Sequence, residues 1–343
     1  MSNKTNKANK GNKGNGKGKT SQMTSKKSST PAAQTSQMTS KKSSTPAAQQ
    51  GIQPSAGDEK VAKIIGTITE IIAVVVIIAL FGYIAVKHQD KNPDKGVNLS
   101  WYTTAIDNVQ TKPEGVSNTY GFNISKNGYN NPVKGVPTVG IYMDFMCPGC
   151  GNFERQNSGN LEKMVNAGQI NVDYHFMNFL DQASSDKYST RAANAAIYIA
   201  QKDPGHLLKF VSKMMSEGVQ PEENSGSTPS NADIVKYAEG VGIPKDVAKA
   251  SVKAGYSDWI SAVNSYTTKR PSLYNLSGDY AGKSMSTPAI TVNGKLIDTI
   301  KAEDKGIDTD EVLLKSLGIP KSKVGAKDYK IGLGDSGEPI PFK

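Results

Sequence analysis

The first 60 residues of this 343-residue chain contain no Phe, Trp, Tyr, Leu or Val. Such a segment cannot bury enough apolar surface to offset the entropy of ordering its backbone, which excludes a packed domain there. Acidic side chains are nearly as scarce. Residues 1–63 hold only Asp58 and Glu59 against twelve lysines, a surplus of +10 that equals the net charge of the whole chain. The remaining residues carry 29 basic and 29 acidic side chains, a balance that argues against a nucleic-acid-binding globular domain. Histidine is limited to His88, His175 and His206, and cysteine to Cys147 and Cys150.

What is present divides the chain into unlike parts. The basic tail, residues 1–63, carries an identical fifteen-residue unit twice, at 20–34 and 35–49 (TSQMTSKKSSTPAAQ). The unit has no apolar face to stack on a copy of itself, so it reads as a duplication in a disordered cytoplasmic arm rather than as a solenoid. Residues 64–86 (IIGTITEIIAVVVIIALFGYIAV) form an apolar run of 23 residues with Glu70 as its one ionisable side chain. At ~1.5 Å per residue a helix of that length crosses a ~30 Å hydrocarbon core. The long preceding tail and the lack of an A-x-A site favour an uncleaved signal anchor. Lysines crowd the N-terminal side, so the expected orientation is tail inside the cell membrane and residues 87–343 outside. Residues 87–116, polar and with Pro93 and Pro113, read as a stalk.

Within the outer region, Thr138–Phe145 (TVGIYMDF) predicts a buried strand ending just before Cys147, and residues 150–167 a helix with Phe153, Leu161, Met164 and Val165 as apolar anchors. A second strand at Ile170–Phe179 completes a βαβ unit with a parallel pair. Helical segments follow at Thr190–Gln201, Gly205–Glu217, Asn231–Gly240 and Lys245–Lys269, with no strand between them. Strands return at Ala289–Val292 and Lys295–Ile297 around an Asn293-Gly294 hairpin turn. Asp308 and Glu311 predict a capping box for a last helix ending at Gly318. The order βαβ, helices, ββα predicts an α/β protein with a thioredoxin fold over residues 117–325, carrying a helical insert at about 184–270. Residues 326–343 form a C-terminal extension.

The two cysteines sit as C-P-G-C where the first of these strands hands over to its helix. Their spacing places both on one face of the first helical turn. Pro148 suits the first helical position. Cys147 at the helix tip faces unpaired N–H groups and the positive end of the helix dipole, which favour a thiolate, while Cys150 one turn in can attack a mixed disulfide. Three other uses stand beside this one. A structural disulfide over so short a loop contributes only about 2 kcal/mol. Zinc requires four ligands, and no histidine pair supplies them. Two incidental thiols are the third.

The run Asp144-Phe145-x-Cys147-Pro148-x-Cys150 with Phe153, together with Ser286-Thr287-Pro288-Ala289 before a strand and Val292-Asn293-Gly294, resembles the DsbA-like thiol-disulfide oxidoreductases, in particular the membrane-anchored forms of Gram-positive and actinobacterial envelopes. The resemblance spans roughly residues 117–320. It implies that Cys147 is the nucleophile, Cys150 the resolving thiol, and Thr287-Pro288 a cis-proline loop facing them and binding extended substrate, against the plain alternative of a strand-entry proline. Strongly oxidising members commonly carry His where Gly149 stands, so Pro148, Gly149 and Asp144 are the positions expected to tune the couple; Asp144 reads equally as a strand-end residue bonded to nearby backbone. The implied activity is disulfide introduction into exported, unfolded or reduced polypeptides, with no bound cofactor or metal and with a DsbB-like or vitamin K epoxide reductase-like membrane protein as reoxidant. An envelope reductase or isomerase, and a non-catalytic thioredoxin-like chaperone or binding module, are the alternatives.

Overall fold

Six strands in one mixed sheet organise the described part of the molecule, β1 (Phe122–Ser125), β2 (Gly128–Tyr129), β3 (Thr138–Asp144), β4 (Asn171–Met177), β5 (Ala289–Val292) and β6 (Lys295–Leu296), in the order β2-β1-β4-β3-β5-β6. This computed structural model describes Asp94 and residues 96–341. The expected tail with its repeat and the apolar run 64–86 lie outside the described residues, among which no helix is long and apolar enough to cross a membrane.

The central pair β3 and β4 is parallel, with Thr138 opposite Asn171 and Asp144 opposite Met177, as the βαβ reading requires. Alternation sets the faces: Val139, Ile141 and Met143 join Val172, Tyr174 and Phe176 in the main core, whereas Tyr142 turns to the other face and packs with Leu273 and Ala289. The connecting helix is Pro148–Ala167, and its buried positions Cys150, Phe153, Glu154, Asn157, Leu161 and Met164 follow the three-and-four spacing of one face.

Numbered in chain order, the helices are α1 (Ser100–Asp107), α2 (Pro148–Ala167), α3 (Tyr188–Lys202), α4 (Leu207–Met214), α5 (Asn231–Gly240), α6 (Lys245–Ser251), α7 (Ser257–Thr267), α8 (Thr299–Asp304) and α9 (Thr309–Leu317). α3 to α7 fill the space between β4 and β5, as the insert predicts. The stretch 245–269 is two helices rather than one, because Gly255 adopts φ +81° and turns the chain between α6 and α7. Asn293 (φ 49°) and Gly294 (φ 76°) make the tight turn between β5 and β6.

Two features depart from the sequence reading, and a third adds to it. α9 begins after Asp308, but the capping box does not form: the Asp308 side chain makes no cap bond, the Thr309 N–H and hydroxyl both donate to Gln156 Oε1 at 2.7 Å, and Glu311 pairs with Lys315. Part of the segment read as a stalk is built into the domain. α1 buries Ile106, and the Asp94 carboxylate accepts from Arg270 Nε (2.9 Å) and the Ser272 N–H (2.8 Å). The C-terminal extension is also docked, since Gln169 Nε2 donates to the Ala326 carbonyl (3.0 Å), Ile331 is buried, and Asn293 Nδ2 donates to the Gly337 carbonyl (2.6 Å).

Candidate active site

At the C-terminal end of β3 the Cys147 N–H bonds back to the Asp144 carbonyl (3.0 Å), closing the turn that delivers Cys147 to the tip of α2. Cys147 occupies the N-cap position with extended backbone (φ −71°, ψ 120°), Pro148 is the first helical residue, and the Gly151 N–H makes the first helical bond to the Cys147 carbonyl (3.1 Å). Both cysteines are free, Cys147 8 % exposed and Cys150 1 %. Their electrostatics diverge accordingly. Hydrogen bonding from the Cys150 thiol, with help from Thr287 and the Cys150 N–H, outweighs burial and lowers the Cys147 pKa to about 7. Burial, reinforced by the neighbouring Cys147, pushes Cys150 well above the ordinary thiol value.

The Thr287–Pro288 peptide bond is cis, and the loop lies directly over the turn that carries Cys147: the Cys147 thiol donates to the Thr287 carbonyl (3.3 Å). A Cβ built on Gly149 would stand 3.2 Å from Pro288 Cδ and 3.8 Å from Cys147 Sγ, so the absence of a side chain at 149 is what lets the two loops meet this closely. Asn275 holds the approach to the loop, its Oδ1 accepting from the N–H (3.1 Å) and hydroxyl (2.9 Å) of Ser286. Cavities flank the loop. One of about 460 Å³ is lined by Cys147, Met177, Leu180, Tyr280, Met285 and Thr287; the other, about 310 Å³, lies beyond Gly149 and Pro288 and is edged by Asn152, Glu303 and Asp308.

Asp144 is fully buried beneath the turn. Its Oδ1 accepts from the Ser189 hydroxyl (2.5 Å) and the Met146 N–H (2.9 Å), and its Oδ2 from the Leu180 N–H (3.1 Å). Desolvation exceeds the effect of these donors and raises its pKa to about 6, and its charge in turn opposes ionisation of Cys147. Asp144 is thus bonded to nearby backbone, as the strand-end reading expects, and its charge acts on Cys147.

The structure thus brings Cys147, Pro148, Gly149, Cys150, Thr287 and Pro288 together, with Asp144 behind them. Sequence reasoning missed Ser189, which anchors Asp144 from α3, Gln220, which reaches the turn from the insert, and Glu154, one helical turn below Cys150. Glu154 alone had a signal: it falls on the same helical face as Cys150, Asn157 and Leu161.

A family model described as thioredoxin matches residues 134–308, half of the chain, from just before β3 to the residue preceding α9. The chain belongs to the thioredoxin family. Among curated proteins it is similar to the serine/threonine-protein kinase PknE of Mycobacterium tuberculosis, 36% identical over 120 residues that make up 34% of this chain and 21% of that protein. The matched segment thus spans about a fifth of the length of these curated relatives. Among solved structures, the reduced DsbA of Mycobacterium tuberculosis is 25% identical, covering 55% of this chain and 93% of that one with a TM-score of 0.43. MdbA of Actinomyces oris, a thiol-disulfide oxidoreductase, is 20% identical, covering 66% and 94% with a TM-score of 0.46.

Proposed function

We propose that this thioredoxin-family chain is a membrane-anchored, extracytoplasmic thiol-disulfide oxidoreductase that introduces disulfides into exported polypeptides through Cys147 and Cys150, with no bound cofactor. The observation that carries this reading is the inequality of the two thiols under a cis-proline loop: one at the helix tip with its pKa lowered to about 7 and bordering a cavity, the other buried and held protonated. A structural disulfide has no use for that inequality, and an inert pair has no use for the loop.

In the oxidised enzyme a substrate thiolate attacks Cys147 Sγ. The Cys147–Cys150 bond breaks, a mixed disulfide forms, and Cys150 leaves with the electron pair and takes up a proton, as its raised pKa favours. A second substrate thiolate then attacks the substrate sulfur of the mixed disulfide and releases Cys147 as the better leaving group, its thiolate stabilised at the helix tip. The substrate has lost two electrons and the enzyme dithiol has gained them. An external oxidant must take them on, and the resemblance supplies a DsbB-like or vitamin K epoxide reductase-like membrane protein for that step. Extended substrate would pair with the backbone at Thr287, beside Pro288, with an apolar side chain in the cavity of Met177, Leu180 and Met285. The apolar run 64–86 and the lysine-rich tail support the anchored, outward orientation.

A specific observation favours a second reading, an envelope reductase or isomerase. A Cys147 pKa of about 7 is that of thioredoxin, whereas the strongly oxidising DsbA has a value near 3.5. The reduction potential decides between them. We expect it between the roughly −270 mV of thioredoxin and the roughly −120 mV of DsbA, and a value at or below thioredoxin's would make the chain a reductase. Cys150→Ser should accumulate mixed disulfides with exported proteins through Cys147. Trapping through the opposite variant, or cellular function that survives loss of both thiols, would overturn the redox reading altogether.

A further inference from the structure

Gln220 follows α4 at the start of the Gly/Ser/Pro-rich loop 218–230, 73 residues from Cys147 in sequence. Its side-chain amide nonetheless ends in the redox turn, where Nε2 donates to the carbonyls of Cys147 (2.9 Å) and Phe145 (3.3 Å). The opposite end of the amide, Oε1, accepts from Arg155 Nη1 (3.1 Å), and the same nitrogen donates to the Met215 carbonyl (2.9 Å). A chain of bonds therefore runs from α2 through Arg155 and Gln220 back to the residue that caps α2. The Cys147 carbonyl takes two donors, the Gly151 N–H and the Gln220 amide. Gly151 is buried, and a Cβ there would overlap Gln220 Oε1 and lie 2.6 Å from Arg155 Nη1. Its φ is not in the left-handed region, so the backbone does not call for glycine; the space occupied by the amide does.

We propose that Gln220 is a positioning residue for the exchange reaction of Cys147, admitted by the missing side chain of Gly151 and held by Arg155. The inference rests on the oxidoreductase reading of the Cys147–Cys150 couple. Two effects act together. Pinning the Phe145 and Cys147 carbonyls fixes the turn that aims the Cys150 N–H at Cys147 Sγ, a bond that favours the thiolate. The amide N–H also offsets the partial negative charge of the Cys147 carbonyl, which would otherwise disfavour an anion close by. Three residues further on, Glu223 lines the same cavity as Cys147, so one loop of the helical insert touches both the redox turn and the proposed substrate side.

The test uses the full chain with Gln220→Met, Gly151→Ala and the double variant, reading the thiolate titration of Cys147, its alkylation rate against pH, and the melting temperature. Gly151→Ala keeps the helix, since the atoms it displaces are the ends of two flexible side chains and Ala is the better helix former. Each single variant should raise the Cys147 pKa by about 0.5, a roughly threefold fall in the thiolate-to-thiol ratio, on the scale of one neutral hydrogen bond. The double variant should add nothing to either, because both remove the same contact. An unchanged titration in either single variant, including one accompanied only by a lower melting temperature, overturns the proposal, and so do additive effects. A wild-type couple that fails to exchange with a model dithiol would instead overturn the oxidoreductase reading, while the titration of Cys147 would still report on Gln220.

Discussion

Gly149 lies between the cysteines where a side chain would face both Cys147 Sγ and the Thr287-Pro288 loop. With no donor or charge there, Cys147 depends on the Cys150 thiol, with smaller help from Thr287 and the Cys150 N–H, for its lowered pKa, and burial and the Asp144 charge work against them. Histidine at 149 would bring a cationic ring close to Sγ, and its Cβ at 3.8 Å from that atom is near enough to matter. The cost is steric: the same Cβ lies 3.2 Å from Pro288 Cδ, which must give by a few tenths of an ångström. The backbone raises no objection, since φ at 149 is not in the left-handed region. Gly149→His should therefore lower the Cys147 pKa below about 7 and make the couple more oxidising, each ~30 mV corresponding to about 1.4 kcal/mol. Thiolate titration and glutathione equilibration on both proteins check this, and a more reducing variant would show that crowding of the Pro288 loop outweighs the charge.

At the scale of elements, α9 shows how a side chain from elsewhere replaces a local signal. The Asp308 carboxylate makes no cap bond; the helix start is held instead by Gln156 of α2, which takes the Thr309 N–H and hydroxyl, and by Asn157, whose Nδ2 donates to the same hydroxyl (2.8 Å). Thr309→Val should thus cost about 1 kcal/mol in urea denaturation, and Asp308→Ala much less, the reverse of what the capping-box pattern implies. Equal losses would restore Asp308 as the cap. The contrast marks what was legible in the sequence. Periodicity and turn chemistry revealed β3, α2, β4 and the Asn293-Gly294 hairpin, and the C-P-G-C and Thr287-Pro288 motifs marked residues that the fold brings together, because each signal lies within a few consecutive residues. The short β1–β2 hairpin, the docking of Asp94 on Arg270, and the approach of Gln220 and Ser189 to the redox turn were not legible. The last three depend on pairings across 40 to 180 residues that no local pattern encodes, whereas β1 and β2 pair locally, Ile124 opposite Tyr129, but are too short to carry a strand signal.

For the whole described domain, α2 is also a source of pH-dependent stability. Glu154 is fully buried one turn below Cys150, with Oε1 accepting from the Tyr174 hydroxyl (3.3 Å) and Oε2 without a hydrogen-bond partner. Desolvation, only partly countered by Tyr174, raises its pKa to about 8, and Asp144 is raised to about 6. In each case the folded state holds the proton more tightly than the unfolded chain. Stability from Glu154 is therefore full below its unfolded pKa near 4.5 and falls as pH rises toward 8, by up to about 1.4 kcal/mol per pH unit; Asp144 adds the same sign between about 4 and 6. Cys147 acts oppositely, because its folded pKa is depressed, but its contribution begins only near pH 7. Between pH 6 and 7 the remaining slopes of Asp144 and Cys147 oppose each other, so denaturation midpoints there report mainly on Glu154. The wild type should weaken across that interval, and Glu154→Gln, neutral throughout and close in shape, should remove most of the slope. A variant that keeps the wild-type slope would show that Glu154 is ionised at pH 6 with a counter-charge or water satisfying Oε2, and the pH dependence of the domain would have to originate elsewhere.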